Sequence, residues 1–342
     1  MFGRTVFTAA DQTFLTDDLI LAALSDGRWD VLRHHVRAAL ELDHARGGAQ
    51  DPELDAASDQ AAADFRYARD LISAEDTNAW LLARGLSVED WYDALRRRHL
   101  EEEARARPIM PPAPPDPSDF LQSVWGEFVV SGMATELAEL LARQAVAQAL
   151  LPGEPPAPDP AALAEDLALV REHFPQLDAA EARTRLGRLM TLASAVSRLA
   201  DVMLTPEALR KELEHRALDL VHLSCEVALF DDAPRAREAA LCVREDGLSL
   251  AEAAEEAHTE AQEAELWIDE LPPDLRTPLR SAGPGELLGP IAWEGQPALV
   301  YVHEKHRPTL DDPAVRDRVE QGLLDRLLQD RMETLVTWQL KF

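Results

Sequence analysis

Near residue 218 the spacing of apolar residues changes from one every three or four positions to one every second position, so the chain must build two kinds of structure. Upstream the pattern is helical almost throughout. Leu19 to Leu24 and Trp29 to Leu42 are apolar-periodic segments on either side of Asp26-Gly27. Ser73-Ala-Glu-Asp76 opens a helix with an acid at its third position and Gly85 closes it. Ser87-Val-Glu-Asp90 opens the next, through Trp91 and Leu95 towards Glu103. Leu218 to Phe230 (LDLVHLSCEVALF) then alternates like a half-buried strand. A helical stretch, Ala236 to Arg244, follows and stops at Asp246-Gly247, where glycine gives access to positive φ. The expected fold class is α+β, mostly α.

Composition breaks divide this pattern into domains. Residues 1–104 form a first helical module and 105–117 a linker, because Pro108 to Pro117 can neither donate regular hydrogen bonds nor continue a helix. Residues 118–214 form a second helical module, 215–308 a mixed domain and 309–342 a terminal helix. The second module is a candidate repeat of the first: Leu24 to Leu32 matches Val129 to Leu137 when Gly27 is laid on Gly132, an offset of 132 − 27 = 105. In both copies an Asp-Pro pair, Asp51-Pro52 and Asp159-Pro160, opens a later helix. Two copies suit a duplicated module better than a solenoid, which needs three or more stacked units. In the terminal helix, Pro313 to Phe342, an apolar stripe through Val315, Val319, Leu323, Leu327 and Leu335 requires a packing partner.

Charge narrows the choice of ligand. The 342 residues carry 63 acidic against 34 basic side chains, a formal net charge of −29. A phosphate backbone is repelled by such a surface, which argues against nucleic acid, whereas a basic or amphipathic peptide is attracted. Met1 to Asp18 lacks a charged start followed by an apolar run, and no stretch of about 18 apolar residues is present, so the expectation is a cytoplasmic protein without a membrane partner. The two cysteines, Cys225 and Cys242, sit at apolar-patterned positions with no metal-type spacing. His303-Glu-Lys-His306 lacks a carboxylate at helical spacing to complete a zinc site, and Gly283 to Gly289 has the wrong spacing for a dinucleotide turn. No phosphate loop and no Gly-x-Ser-x-Gly elbow occurs, so neither a metal nor a cofactor is expected.

The order of landmarks from Arg216 to Pro308 resembles the parvulin-type prolyl isomerase domain. After the strand and helix, Gly247-Leu-Ser-Leu-Ala-Glu-Ala-Ala254 is similar to the family's glycine, serine and alanine-bearing helix. Gly285-Glu-Leu-Leu-Gly-Pro-Ile291 resembles its Gly-Glu-x-x-Gly-Pro turn into a final hairpin, here Ile291 to Trp293, a turn at Glu294-Gly295, and Ala298 to His303. The tail from Glu304 to Asp312 with its long helix is similar to the SurA/PrsA group of peptide-binding chaperones, as is the helix-Gly-Leu-Ser-helix element around Gly85 with Trp91-Tyr92. The resemblance implies a helical SurA-like body into which the parvulin-like domain is inserted, with the terminal helix packing back on that body. An ordinary small α+β domain beside helical hairpins accounts for the same pieces.

Prolyl isomerisation breaks no covalent bond. Its barrier of about 20 kcal/mol comes from amide resonance, and an enzyme lowers it by holding a twisted amide in a desolvated pocket. By resemblance, active parvulins place one histidine on the first strand, one on the last, and a cysteine or aspartate nearby. Aligned on Ala236, the first-strand position falls at Glu226 or Val227 and the last-strand position at Ala298, while Glu263-Ala-Glu-Leu-Trp267 replaces the glycine-rich turn before the second strand. His222, Cys225 and Glu226 remain as catalytic candidates; His222 shares a strand face with Ser224 and Glu226, and a polar residue on a solvated face has the same pattern. With the histidines replaced, the groove expected from the resemblance is lined by Leu287, Ile291, Trp293, Ala298 and Tyr301, a surface for an extended or proline-containing peptide. PpiC-related proteins of peptide maturation are similar in this respect. The resemblance therefore implies a chaperone or adaptor holding a precursor peptide, with a modifying enzyme as its second partner. An active peptidyl-prolyl isomerase and an acidic helical scaffold are the alternatives.

Overall fold

The computed structural model describes residues 2–45, 51–100 and 118–342; the acidic run Glu101 to Glu103 and the proline-rich stretch Pro108 to Pro117 lie outside them. The chain is mostly helical with, among the described residues, two small antiparallel sheets, an α+β fold, and divides into two compact units, Met1–Ala200 with Leu327–Phe342, and Asp201–Arg326.

The first unit begins with a hairpin, β1 (Thr5–Ala9) and β2 (Gln12–Leu15), to which β7 (Val336–Trp338) adds on the far side of β1. This three-stranded sheet is absent from the sequence reading, which carries the terminal helix to Phe342. The turn at Ala10-Asp11 holds Ala10 at φ 52° without a Gly, Asn or Pro to announce it. Aromatic packing holds the sheet: Phe7 stacks on Phe14 with centroids 4.5 Å apart and touches Trp338 at 5.1 Å.

Among the described residues ten helices complete this unit with the start of the next: α1 (Thr16–Ser25), α2 (Arg28–Ala45), α3 (Pro52–Ala68), α4 (Ala74–Ala83), α5 (Val88–Arg98), α6 (Ser118–Val130), α7 (Met133–Leu150), α8 (Pro160–His173), α9 (Ala179–Ala193) and α10 (Ala195–Met203). Their starts are chemically specified. Ser73 and Ser87 form capping boxes with Asp76 and Asp90, and Asp51 and Asp159 accept backbone N–H bonds ahead of prolines in the first turn. Helix ends recur at one spacing: α2 and α7 are 133 − 28 = 105 residues apart at their starts and 150 − 45 = 105 at their ends. The ends of α1 and α6, the ends of α3 and α8, the starts of α4 and α9 and the ends of α5 and α10 keep that same 105. Gly27 and Gly132, which join the first two helices of each set, both have positive φ, 79° and 90°. One apolar core spans the two sets, with Trp29 against Phe128 at 5.6 Å and against Phe174 at 5.5 Å.

The second unit is built on a four-stranded antiparallel sheet, β3 (His222–Leu229), β4 (Ala261–Trp267), β5 (Leu287–Trp293) and β6 (Gln296–His306), in the order β4-β3-β6-β5. The segment Glu263 to Trp267 is therefore the second strand itself, where the sequence reading has it in place of a turn; its burial alternates weakly because β4 lies at the sheet's edge. On one face, α12 (Ala233–Leu241) and α13 (Leu250–Glu256) bury Ala236, Ala240, Leu250 and Ala254 against Ala228, Phe230 and Leu299, with Leu287 and Tyr301 packed alongside. On the other, Leu275 and Leu279 of α14 (Pro273–Ser281) cover Leu223, Cys225, Val300 and Val302, with Ile291 and Trp293 alongside. A third cluster joins Leu209 of α11 (Pro206–Arg216) to Leu220, Val315 and Val319. The last two belong to α15 (Pro313–Leu335), whose first part lies in this unit and whose end lies in the other.

A bulge in β5 decides which side chains share a face. Leu288 pairs with Val300 and Ile291 with Ala298, so β5 spends one residue more than β6 over this step. The extra residue comes at Gly289-Pro290, where Gly289 has φ 117° and a Cβ would lie 2.5 Å from the Ala298 carbonyl oxygen.

Candidate functional site

An open cleft of about 540 Å³ lies on the α14 side of the sheet, lined by Val227 and Leu229 of β3, Gln262, Glu263 and Ala264 of β4, Thr259 and Glu260 just before it, and Trp293 at the end of β5. The alternation of β3 supplies the floor, because Val227 and Leu229 have the same parity as buried Leu223 and Cys225. Trp293 is half-buried against the apolar cluster of this face and forms the opposite wall. Gln262, Glu263 and Ala264 are consecutive, so their side chains alternate between faces and the backbone of β4 is itself part of the wall. The rim is acidic: Glu260 and Glu263 line the cleft, no Lys or Arg does, and Glu294 follows Trp293 in the hairpin turn.

Of the five groove residues read from the sequence, Trp293 lines this cleft. Ile291 is half-buried on the same face, and Ala298 is fully buried in the row Leu229, Ala298, Ile291. Leu287 and Tyr301 pack on the opposite face against α12 and α13, so the five do not form one groove. The physical reason is the bulge: without it Leu287, Ile291 and Trp293 would share a face by simple alternation. Val227, Leu229, Gln262 and Ala264 are absent from the groove read from the sequence, although the parity of Leu218 to Phe230 already groups Val227 and Leu229 with Cys225. Of the two first-strand positions, Val227 lies in the cleft, whereas Glu226 pairs with Tyr301 on the other face, its Oε2 3.7 Å from His303 Nε2.

The remaining catalytic candidates are also placed away from the cleft. Cys225 is buried beneath its wall, donating a thiol hydrogen bond to the Ala264 carbonyl at 3.3 Å; burial, with Glu265 nearby, pushes its pKa up to about 11, so it stays a neutral thiol at pH 7. His222 lies in a stacked column on the opposite face. The Arg318 guanidinium sits 4.0 Å over the Trp267 ring, Trp267 and His222 stack at 4.6 Å, and His222 and His306 stack at 4.3 Å and 15°. Ser224 donates to Glu265 at 2.6 Å and also bonds His306 Nε2 at 3.1 Å; His306 Nε2 in turn lies 3.6 Å from Glu304. Desolvation, then the neighbouring His306, lowers the His222 pKa. Among the described residues no group of three or more His, Cys, Asp or Glu side chains is arranged to hold a metal ion. No helix among them is long and apolar enough to cross a membrane.

No protein-family model and no curated protein matches the chain. Among solved structures it is similar to the foldase protein PrsA from Streptococcus pneumoniae, at 16% identity over 61% of this chain and 85% of that one, with a TM-score of 0.29. It is similar also to the peptidylprolyl isomerase PrsA from Bacillus anthracis, at 12% identity over 58% and 96% of the two chains and a TM-score of 0.31. A third neighbour is one of two SurA-like chaperones of Campylobacter jejuni, at 11% identity over 62% and 88%, with a TM-score of 0.18. Scores this low leave the function to be read from the cleft itself.

Proposed function

We propose that the protein is a peptide-binding chaperone or adaptor, and that the cleft between β4 and Trp293 holds an extended or proline-containing peptide. The observation that carries this is an apolar floor, Val227 and Leu229, beside one half-buried tryptophan, with neither His222 nor Cys225 lining the space. An open slot with this floor offers a peptide side chain burial, with the carboxylates of Glu260 and Glu263 at its rim. On this reading residues 215–308 are a parvulin-like domain inserted into a helical SurA-like body, the protein works in the cytoplasm, and its ligand is a precursor peptide presented to a modifying enzyme. The rival reading, a prolyl isomerase, requires His222 or Cys225 at the bound amide. The other rival, an acidic scaffold, would be supported by a cleft filled by the protein's own side chains, whereas about 540 Å³ stands open.

The test is a panel of labelled X-Pro peptides measured for both binding and cis/trans exchange. Binding without acceleration is expected, weakened about tenfold or more by Trp293→Ala, since burying an aromatic side chain contributes about 1.5–3 kcal/mol. Acceleration abolished by His222→Ala would establish an isomerase instead. Binding indifferent to Trp293→Ala would move the peptide out of this cleft.

A further inference from the structure

We infer that the peptide held here is cationic and binds as an added strand along the free edge of β4. The inference rests on the cleft being a peptide site and adds the mode of binding and the class of sequence. β4 ends the order β4-β3-β6-β5, and among the described residues its only strand partner is β3. On its outer side alternate N–H and C=O groups are open, which is the template that strand addition uses. The cleft adjoins that edge, because Gln262, Glu263 and Ala264 line it in succession.

Charge selects the occupant. Glu260 and Glu263 have no ion-pair partner among the described residues, and both, with Glu265, line the edge strand or its approach without a basic residue among them. A second copy of this chain pairing edge to edge would set these carboxylates against each other, and an acidic peptide would meet the same repulsion. A strand alternating Lys or Arg with aliphatic residues meets both features: its aliphatic side chains fall on the face of Gln262 and Ala264, at the mouth of the cleft, and its cations on the face of Glu263 and Glu265. The acidic charge of the whole chain, −29, steers the same ligand towards the site.

The experiment uses the full chain and fluorescein-labelled Lys-Ile-Lys-Val-Lys, followed by anisotropy. Three further probes go with it: its Glu-Ile-Glu-Val-Glu counterpart and two Lys peptides doubly N-methylated either at the second and third Lys or at Ile and Val. In an added strand only one parity of N–H groups points at the protein. One N-methyl isomer should therefore lose about tenfold or more while the other stays within about twofold. The Glu peptide should not bind detectably. Glu260→Gln with Glu263→Gln should weaken the Lys peptide several-fold at low salt and little at 0.5 M NaCl, where charge is screened. Equal loss or equal retention in the two isomers, or equal binding of the Glu peptide, overturns the inference. Trp293→Ala separates the two levels. If it weakens binding while the isomers behave alike, the cleft holds a peptide but not as a strand; if no peptide binds at all, both readings fall.

Discussion

Replacing Gly289 by alanine tests the bulge that sorts β5 between two faces. At φ 117° an L residue is strained, a cost of about 1–3 kcal/mol. The added Cβ would also lie 2.5 Å from the Ala298 carbonyl oxygen, 2.9 Å from Leu299 Cδ2 and 3.2 Å from the Ile291 nitrogen. Two of those atoms are backbone in the β5–β6 ladder, so relief requires the strands to part and the packing of Leu299 and Ile291 to loosen. Together these give an expected loss of about 3–4 kcal/mol, at the upper end of single substitutions. Urea unfolding followed by circular dichroism would measure it, with hydrogen exchange at β5 and β6 amides assigning the loss to the second unit. A variant within about 0.5 kcal/mol of the parent would refute the reasoning, because strain and overlap would then both be relieved for almost nothing.

The His222 column makes stability depend on pH. His222 titrates below its ordinary value of about 6.5 because burial and His306 outweigh Glu265 and Asp312, with Arg318 adding to the lowering. The unfolded chain therefore takes the proton first: the contribution of neutral His222 is complete above about 6.5 and is lost as pH falls from there towards the folded value. His222→Gln should flatten the stability profile in that window, and parallel profiles for the two proteins would sink the idea. The thiols should differ under a small alkylating reagent at pH 8: Cys225, buried and with its pKa near 11, should react only on unfolding, whereas half-buried Cys242 reacts in the native state. Two equally fast thiols in mass spectrometry would contradict the burial of Cys225. Ser87→Ala removes an oxygen that accepts from the Asp90 N–H at 3.0 Å and should cost the first unit about 1 kcal/mol by urea unfolding.

Local chemistry was legible where it is local. Ser73, Ser87, Asp51 and Asp159 open helices because a side-chain oxygen a few residues from an unpaired N–H is enough to do so. The hairpin turn at Glu294-Gly295 and the stop at Gly247 were legible for the same reason, positive φ at glycine. What escaped depends on partners far along the chain. Val336-Thr-Trp338 has strand-favouring residues, but three of them after a long helix do not announce a strand; the pairing of Trp338 with Phe7, more than three hundred residues earlier, decides it. The faces of Leu287 and Tyr301 hinge on one bulged residue, which alternation cannot reveal when Gly-Pro interrupts it. His222 lies on the face that parity gives it, yet its column with Trp267, His306 and Arg318 depends on β4, β6 and α15 meeting there.

The 105-residue register of the helices bears on how such a body could arise. Each set of five spans about 85 residues, enough for a small domain, yet the two share one core. Trp29 of the first set finds its aromatic partners, Phe128 and Phe174, in the second, so either set alone would expose an apolar face to water. Two identical chains could close that face only by meeting about a two-fold axis, each presenting the same patch to the other. Fusing them into one polypeptide makes the association intramolecular and independent of concentration, and it frees each half to diverge, as Trp29 against Ala134 at the matched position already shows.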